Sequence, residues 1–419
     1  MTAFERDEQL GTALRKLDVP DHRPRFFDDL RGELERTAAR RRRVGLLAPA
    51  AAVAAVAALA VAFALTRGSE TASAAAVRAA VAHALASDGS ISGVFVNNET
   101  GNPKASGTRW RFVVSSSRAF RIDGLGAHSR LVYEPTRNVE AYSDGSLFVR
   151  RVGLAPGPPD AAPAVFVLQR GLGSVVAALA LARNPKVEEV TYEGRPAWLL
   201  RTTTGNRGEL RLVTVDRATG LPVRNRLLRH GRFASEWRIE RLSVGASEAR
   251  VVPLRPAPGQ SVQVYDAGFR RVSITEARRE AGYSPLVPKR LPTGFELTGV
   301  AFAESSRPTG EEDGGNPSSR DVVSLSYRRG FDEIVVTTRR TGPRPSAWKD
   351  PLQVSHAVTT TPRRVVFTGG ALAGGHGYLV LEPDALPHVW TVGPRLVVTI
   401  AGTVAPDELL QVANSLGLR

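Results

Sequence analysis

Glu209–Arg229 reads ELRLVTVDRATGLPVRNRLLR, two alternating segments joined by the turn Asp216–Pro222. Apolar and polar side chains largely alternate on both sides of that turn, the period of a strand with two unlike faces. Aspartate, glycine and proline within DRATGLP supply the bent backbone that returns the chain on itself. A hairpin here commits the surrounding region to antiparallel sheet. Working outward, Thr108–Ser115 shows the same period, with Trp110, Phe112 and Val114 on one side and Arg109 and Arg111 on the other. Further strands are predicted at Arg118–Ile122, Val139–Asp144, Ser146–Arg150, Arg195–Thr203 and Glu236–Leu242, with Asp144-Gly145 as a second turn. Helices are predicted at Ala74–Ala86 and Gly173–Ala182. The expectation is an α+β domain over 72–247, a largely antiparallel, curved sheet with helices on one side.

The proline-rich stretch Val252–Gln260 (VPLRPAPGQ) reads as a linker, placed at 248–265. Residues 266–419 then form a smaller α+β domain. Its helix is expected at Thr275–Ala281, and strands near Phe295–Ala303, Asp321–Arg328, Glu333–Arg339, Arg364–Thr368, Gly377–Leu381, His388–Val392 and Arg395–Ile400. Ala405–Leu416 closes it as an amphipathic helix. Arg307–Arg320 (RPTGEEDGGNPSSR) holds no core-forming residue and reads as a polar surface loop.

Ahead of these domains, residues 44–65 read VGLLAPAAAVAAVAALAVAFAL directly after Arg40–Arg43. A helix of about 20 apolar residues crosses a bilayer core, and arginines favour its cytoplasmic flank. A transmembrane helix is therefore expected at 44–66, with 1–43 a cytoplasmic tail and the bulk of the chain extracytoplasmic, a single-pass protein of the plasma membrane. Cleavage near Ala72-Ser73-Ala74 stays open as an alternative, with the arginines as a twin-arginine leader. Within the tail, Leu10, Leu14 and Leu17 form one short amphipathic pattern. Phe27, Leu30 and Leu34 form a second, either a docking stripe for a protein partner or a passive lead into the membrane.

Charge and cysteine content narrow the classes of function. The chain is 419 residues long with a net charge of +15. Residues 1–43 carry 11 basic and 9 acidic residues, which leaves 45 basic and 32 acidic, net +13, on the far side of the membrane. Nucleic acid is not the expected partner there. Anionic lipid headgroups or cell-wall polymers are, unless the surface is simply solvated. The absence of cysteine removes disulfides, thiol chemistry and cysteine metal sites.

No catalytic arrangement emerges. The seven histidines are scattered, without HExxH spacing, and neither a G-x-S-x-G elbow nor a phosphate-binding G-x-x-x-x-G-K-[ST] loop occurs. Gly369–Gly377 (GGALAGGHG) lacks the lysine of such a loop and reads as a hairpin or turn. Glu311-Glu312-Asp313 reads as solvated surface rather than a metal site. No catalytic, cofactor or metal residues are assigned, and no enzyme is expected. The remaining candidate is apolar. Trp110, Phe112, Trp198, Leu200, Trp237 and Ile239 occupy alternating faces of predicted strands, either as core beneath the helices or as a groove for an acyl chain or apolar peptide.

Three regions of the chain resemble known families. Tyr192–Leu200 (YEGRPAWLL) and Val215–Arg224 (VDRATGLPVR) make the 75–247 region similar to the LolA/LolB/RseB-type lipoprotein-binding superfamily, the second being similar to the VD-x-x-T-G-L-P-x-R turn of RseB and MucB proteins. Pro285–Phe295 (PLVPKRLPTGF) and Pro406–Leu416 (PDELLQVANSL) resemble the C-terminal domain of unknown function of Gram-positive sigma-regulatory membrane proteins. Leu14–Leu34 looks like the cytoplasmic lead of actinobacterial anti-sigma proteins, but their zinc motif needs two cysteines and this chain has none. The resemblance implies an unclosed antiparallel barrel wrapped around helices. It also implies a membrane-anchored sensor that modulates sigma-factor signalling in envelope stress, with a sigma factor or anti-sigma membrane protein as partner. The alternative it allows is a carrier or tether for a lipid or lipoprotein acyl chain.

Overall fold

In the computed structural model, the residues described are 74–100, 107–125, 128–155, 186–203, 208–245, 251–306, 319–343, 345–352, 362–381 and 386–418. The expected membrane helix at 44–66, the tail stripe Phe27, Leu30 and Leu34, the helix at Gly173–Ala182 and most of the loop Arg307–Arg320 lie outside them. No described helix is long and apolar enough to cross a membrane.

Helix α1 (Ala74–Leu85) is rich in alanine, the best helix former, and buries Val77, Val81, Ala84 and Leu85 along one stripe. It leads into a meander of six strands: β1 (Ser90–Glu99), β2 (Thr108–Ser115), β3 (Phe120–Gly124), β4 (Arg130–Glu134), β5 (Val139–Ser143) and β6 (Leu147–Val152). A second meander follows: β7 (Lys186–Tyr192), β8 (Arg195–Thr203), β9 (Glu209–Asp216), β10 (Pro222–Arg229) and β11 (Arg232–Gly245). Pairing of β1 with β11 joins the two meanders at the centre of one 12-stranded sheet. Its last member, β12 (Ser261–Asp266), lies parallel to β6 at the edge, so the sheet is mixed rather than wholly antiparallel. With β12 at one edge and β7 at the other, the sheet is not closed into a barrel.

The second sheet has eight strands. It takes β13 (Arg270–Arg271) and, after helix α2 (Ile274–Ala281) and the short β14 (Leu286–Pro288), the long antiparallel β15 (Glu296–Ser306), β16 (Ser319–Arg329) and β17 (Asp332–Arg340). Strands β18 (Arg363–Val366), β19 (His376–Val380), β20 (His388–Val392) and β21 (Leu396–Gly402) complete it. The glycine-rich stretch read as a turn does connect β18 to antiparallel β19, through a single 3-10 turn at Gly370–Leu372. Helix α3 (Pro406–Ser415) buries Leu409, Val412 and Ala413 in the second core, and β22 (Leu416–Leu418) pairs back onto β14. Helix α2 starts from a reciprocal cap between Ser273 and Glu276 and ends at Gly282, whose φ of +64° suits glycine.

The two sheets belong to one compact unit, Thr71–Arg419. The tip of the β16–β17 hairpin locks them together. Phe331 is 7 % exposed and packs in the core of the first sheet, and its amide donates to the Leu85 carbonyl at 2.6 Å. Beside it Gly330 has φ +56°, and a Cβ there would fall 2.3 Å from the Ser87 carbonyl oxygen, so only glycine fits. Arg118, in the β2–β3 turn of the first sheet, forms a buried ion pair with Glu333 of the second. Burial pushes the Arg118 guanidinium below its ordinary value, and Glu333 opposes that shift.

Candidate functional site

The face of the first sheet that meets α1 is set by the strand period. Antiparallel partners share a face, so Trp110 with Gly124, Phe112 with Ile122, and Leu131 with Tyr142 all point one way. That face collects Ile91, Phe95, Phe112, Leu200, Val213, Val215, Trp237 and Ile239 against the stripe of α1. Phe95 is its aromatic centre, with ring centroids 5.7 Å from Trp110 and 6.2 Å from Trp237.

The structure brings all six sequence-selected residues into this one cluster. Four of them, Phe112, Leu200, Trp237 and Ile239, are no more than 9 % exposed and fill the core. Trp110 and Trp198 are only partly buried and form its margins. The Arg217 guanidinium stands 5.5 Å above the Trp198 ring. Next to Trp110, a cavity of about 240 Å³ opens between Ile122, Leu131, Tyr142 and Val149, and the Glu140–Arg151 ion pair at 3.2 Å closes one end. Tyr142 donates to Asp144 at 3.2 Å, and burial, with that carboxylate, pushes its hydroxyl above the ordinary value.

The Asp216–Pro222 turn holds α1 down on this face. Asp216 is 2 % exposed, and its Oδ1 accepts both the Thr219 amide and the Thr219 hydroxyl at 2.9 Å. Arg195 pairs with its other oxygen at 3.4 Å. Gly220, at φ +69°, lies so close to α1 that a Cβ would sit 2.3 Å from the Ala80 carbonyl oxygen. Leu221 then enters the core. The turn is thus a clasp between sheet and helix as well as a hairpin.

Sequence periodicity did not select Phe95, Tyr133, Tyr142 or Phe331 as site or core residues. Phe95 sits beyond the irregularity between Ser92 and Val94, which breaks the alternation of β1. Phe331 belongs to a hairpin tip, where period carries no information on burial.

No protein-family profile and no curated protein sequence matches the chain. Among solved structures, MucB is similar at 20 % identity and a TM-score of 0.30, covering 82 % of this chain and 98 % of that one. The MucA/MucB complex of Pseudomonas aeruginosa is similar at 20 % identity and TM-score 0.28, covering 83 % and 99 %. A putative outer membrane lipoprotein-sorting protein domain from Vibrio parahaemolyticus is similar at 9 % identity and TM-score 0.13, covering 39 % and 90 %. These superpositions are loose, and the functional reading stands on the chain's own residues.

Proposed function

We propose that the chain is a non-enzymatic, membrane-anchored extracytoplasmic regulator of the RseB/MucB kind, which modulates sigma-factor signalling by binding a protein partner. Residues 44–66 anchor it in the plasma membrane, and 1–43 face the cytoplasm. The observation that carries this reading is the Asp216–Pro222 clasp. The stretch whose sequence is similar to the RseB and MucB turn is also the one that packs against α1 on the inner face of the sheet. Among the described residues, α1 and the aromatic cluster pack together on this face.

The carrier reading has one observation in its favour, the cavity beside Trp110. At about 240 Å³ it lies under the roughly 300–1,000 Å³ of ordinary ligand pockets, a size that suits an apolar side chain of a partner better than a lipid. Cross-linking and affinity purification of the full chain from its own cells tests the regulator. A sigma factor or an anti-sigma membrane protein is expected among the cross-linked products, and deletion of the gene is expected to change a stress regulon. Recovery of neither partner, with an unchanged regulon, would refute it.

A further inference from the structure

The opposite, outer face of the first sheet carries an arginine stripe that the regulator reading leaves unused. Across six neighbouring strands in sheet order, β4-β3-β2-β1-β11-β10, eight arginines share this face: Arg130, Arg121, Arg109, Arg111, Arg238, Arg241, Arg224 and Arg226. The carboxylates set among them are Asp123, Glu240 and Glu236. Asp123 accepts from both Arg121 and Arg130, at 2.9 and 2.7 Å. Glu240 takes Arg109 and Arg238, and Glu236 takes Arg224, Arg226 and Arg238. Farther along β4, Glu134 is matched by Arg137.

Arg111 and Arg241 have no ion-pair partner among the described residues, and both are exposed. They line one cleft of about 640 Å³ with Arg109, Arg121 and Leu125. Arg241 reaches it through the irregularity opposite Gly93, with a left-handed φ of +55° that an arginine rarely adopts. Gly93 itself is fixed by the core, since a Cβ there would meet Ile239 at 2.9 Å.

We propose that this stripe binds a linear polyanion of repeated phosphodiesters, with Arg111 and Arg241 as its central contacts. Arginine forks match phosphate oxygens two at a time. Six strands at about 4.8 Å spacing give a track of roughly 24 Å, long enough for several consecutive phosphodiesters. The track crosses the strands as a line with one cleft at Arg111 and Arg241, a shape that suits a chain rather than a membrane plane. A membrane-binding face sets several apolar anchors beside its basic residues. Here the exposed large apolar side chains are Leu125 at the cleft and Phe233, the latter under Arg226. Single-stranded nucleic acid asks for stacking platforms, and Phe233 is the one exposed aromatic on the described part of this track.

Fluorescence anisotropy of labelled poly(glycerol phosphate) with the full chain in detergent tests this directly. Vesicles of phosphatidylglycerol and a labelled oligonucleotide serve as competing probes. The polymer is expected to bind, with affinity falling steeply between about 50 and 200 mM salt. Arg111→Gln with Arg241→Gln is expected to weaken it roughly tenfold or more, since each forms a charged hydrogen bond. The loop variant Arg255→Gln is expected to leave it unchanged. No binding of the polymer at low salt, equal binding by the double variant, or a preference for the vesicles or the oligonucleotide would overturn the proposal.

Discussion

At the scale of single residues, the clasp and the buried charges set the sharpest expectations. Gly220→Ala adds a methyl group against the Ala80 carbonyl and takes a non-glycine residue into positive φ. It is expected to lower stability by about 1–3 kcal/mol in urea unfolding. Glu236 tests the electrostatics. Burial pushes its carboxyl up, but hydrogen bonds from Arg224 and Arg226 outweigh that and hold it below the ordinary value of 4.5. A depressed carboxylate stabilises the fold above its unfolded pKa, and the contribution disappears as pH falls through the folded value. Glu236→Gln is therefore expected to be less stable than the parent at neutral pH, with the gap narrowing as pH drops below 4.5. A gap that widens on acidification would contradict the assignment. Asp332 has the opposite sign. Burial, against the hydrogen bond from Arg329, raises its carboxyl above 3.8, so its own contribution shrinks as pH rises.

At the scale of elements, the β16–β17 hairpin is a wedge from one sheet into the core of the other. Phe331→Ala is expected to cost about 3–5 kcal/mol. Because Phe331 sits in the first core while its strands belong to the second sheet, both sheets should unfold together at the lower denaturant concentration. Single-tryptophan variants retaining Trp237 or Trp390 would report the two sheets separately, and a shift confined to one would refute the coupling. The elements also show what a sequence can and cannot reveal. The alternating strands β2 and β10 are legible because one face is mostly apolar and the other carries arginine. Strand β1 is not, since Gly93 interrupts its period at the irregularity. Strand β4 (RLVYE) sets Leu131, Val132 and Tyr133 in a row and so shows no alternation. Strand β12 is exposed along its whole length and follows a proline-rich stretch, which masks the short alternation of Val262 and Val264 in SVQVYD. The six aromatic and aliphatic residues chosen from the sequence do converge, but periodicity reports a shared face and not whether a helix covers it. That cover comes from Gly220 and α1, a contact between distant segments.

At the scale of the whole molecule, the inner face of the first sheet is packed under α1, the outer face carries an excess of arginine, and a hairpin wedge ties the second sheet to the first. In the described residues α1 occupies the inner face and the outer surface stays open to partners, which favours the proposed regulation through protein contact over lipid transport. Trp110→Ala is expected to widen the cavity beside it and to weaken partner capture, with a smaller loss of stability than Trp237→Ala, which removes a side chain from the core. Paired thermal-unfolding and co-purification measurements would separate the two effects. The most direct test of the central claim is native mass spectrometry of the full chain released from detergent after purification from its own envelope. The account predicts the chain free of acyl ligand and associated with a membrane protein. A stoichiometric acyl ligand on a chain without any protein partner would contradict it.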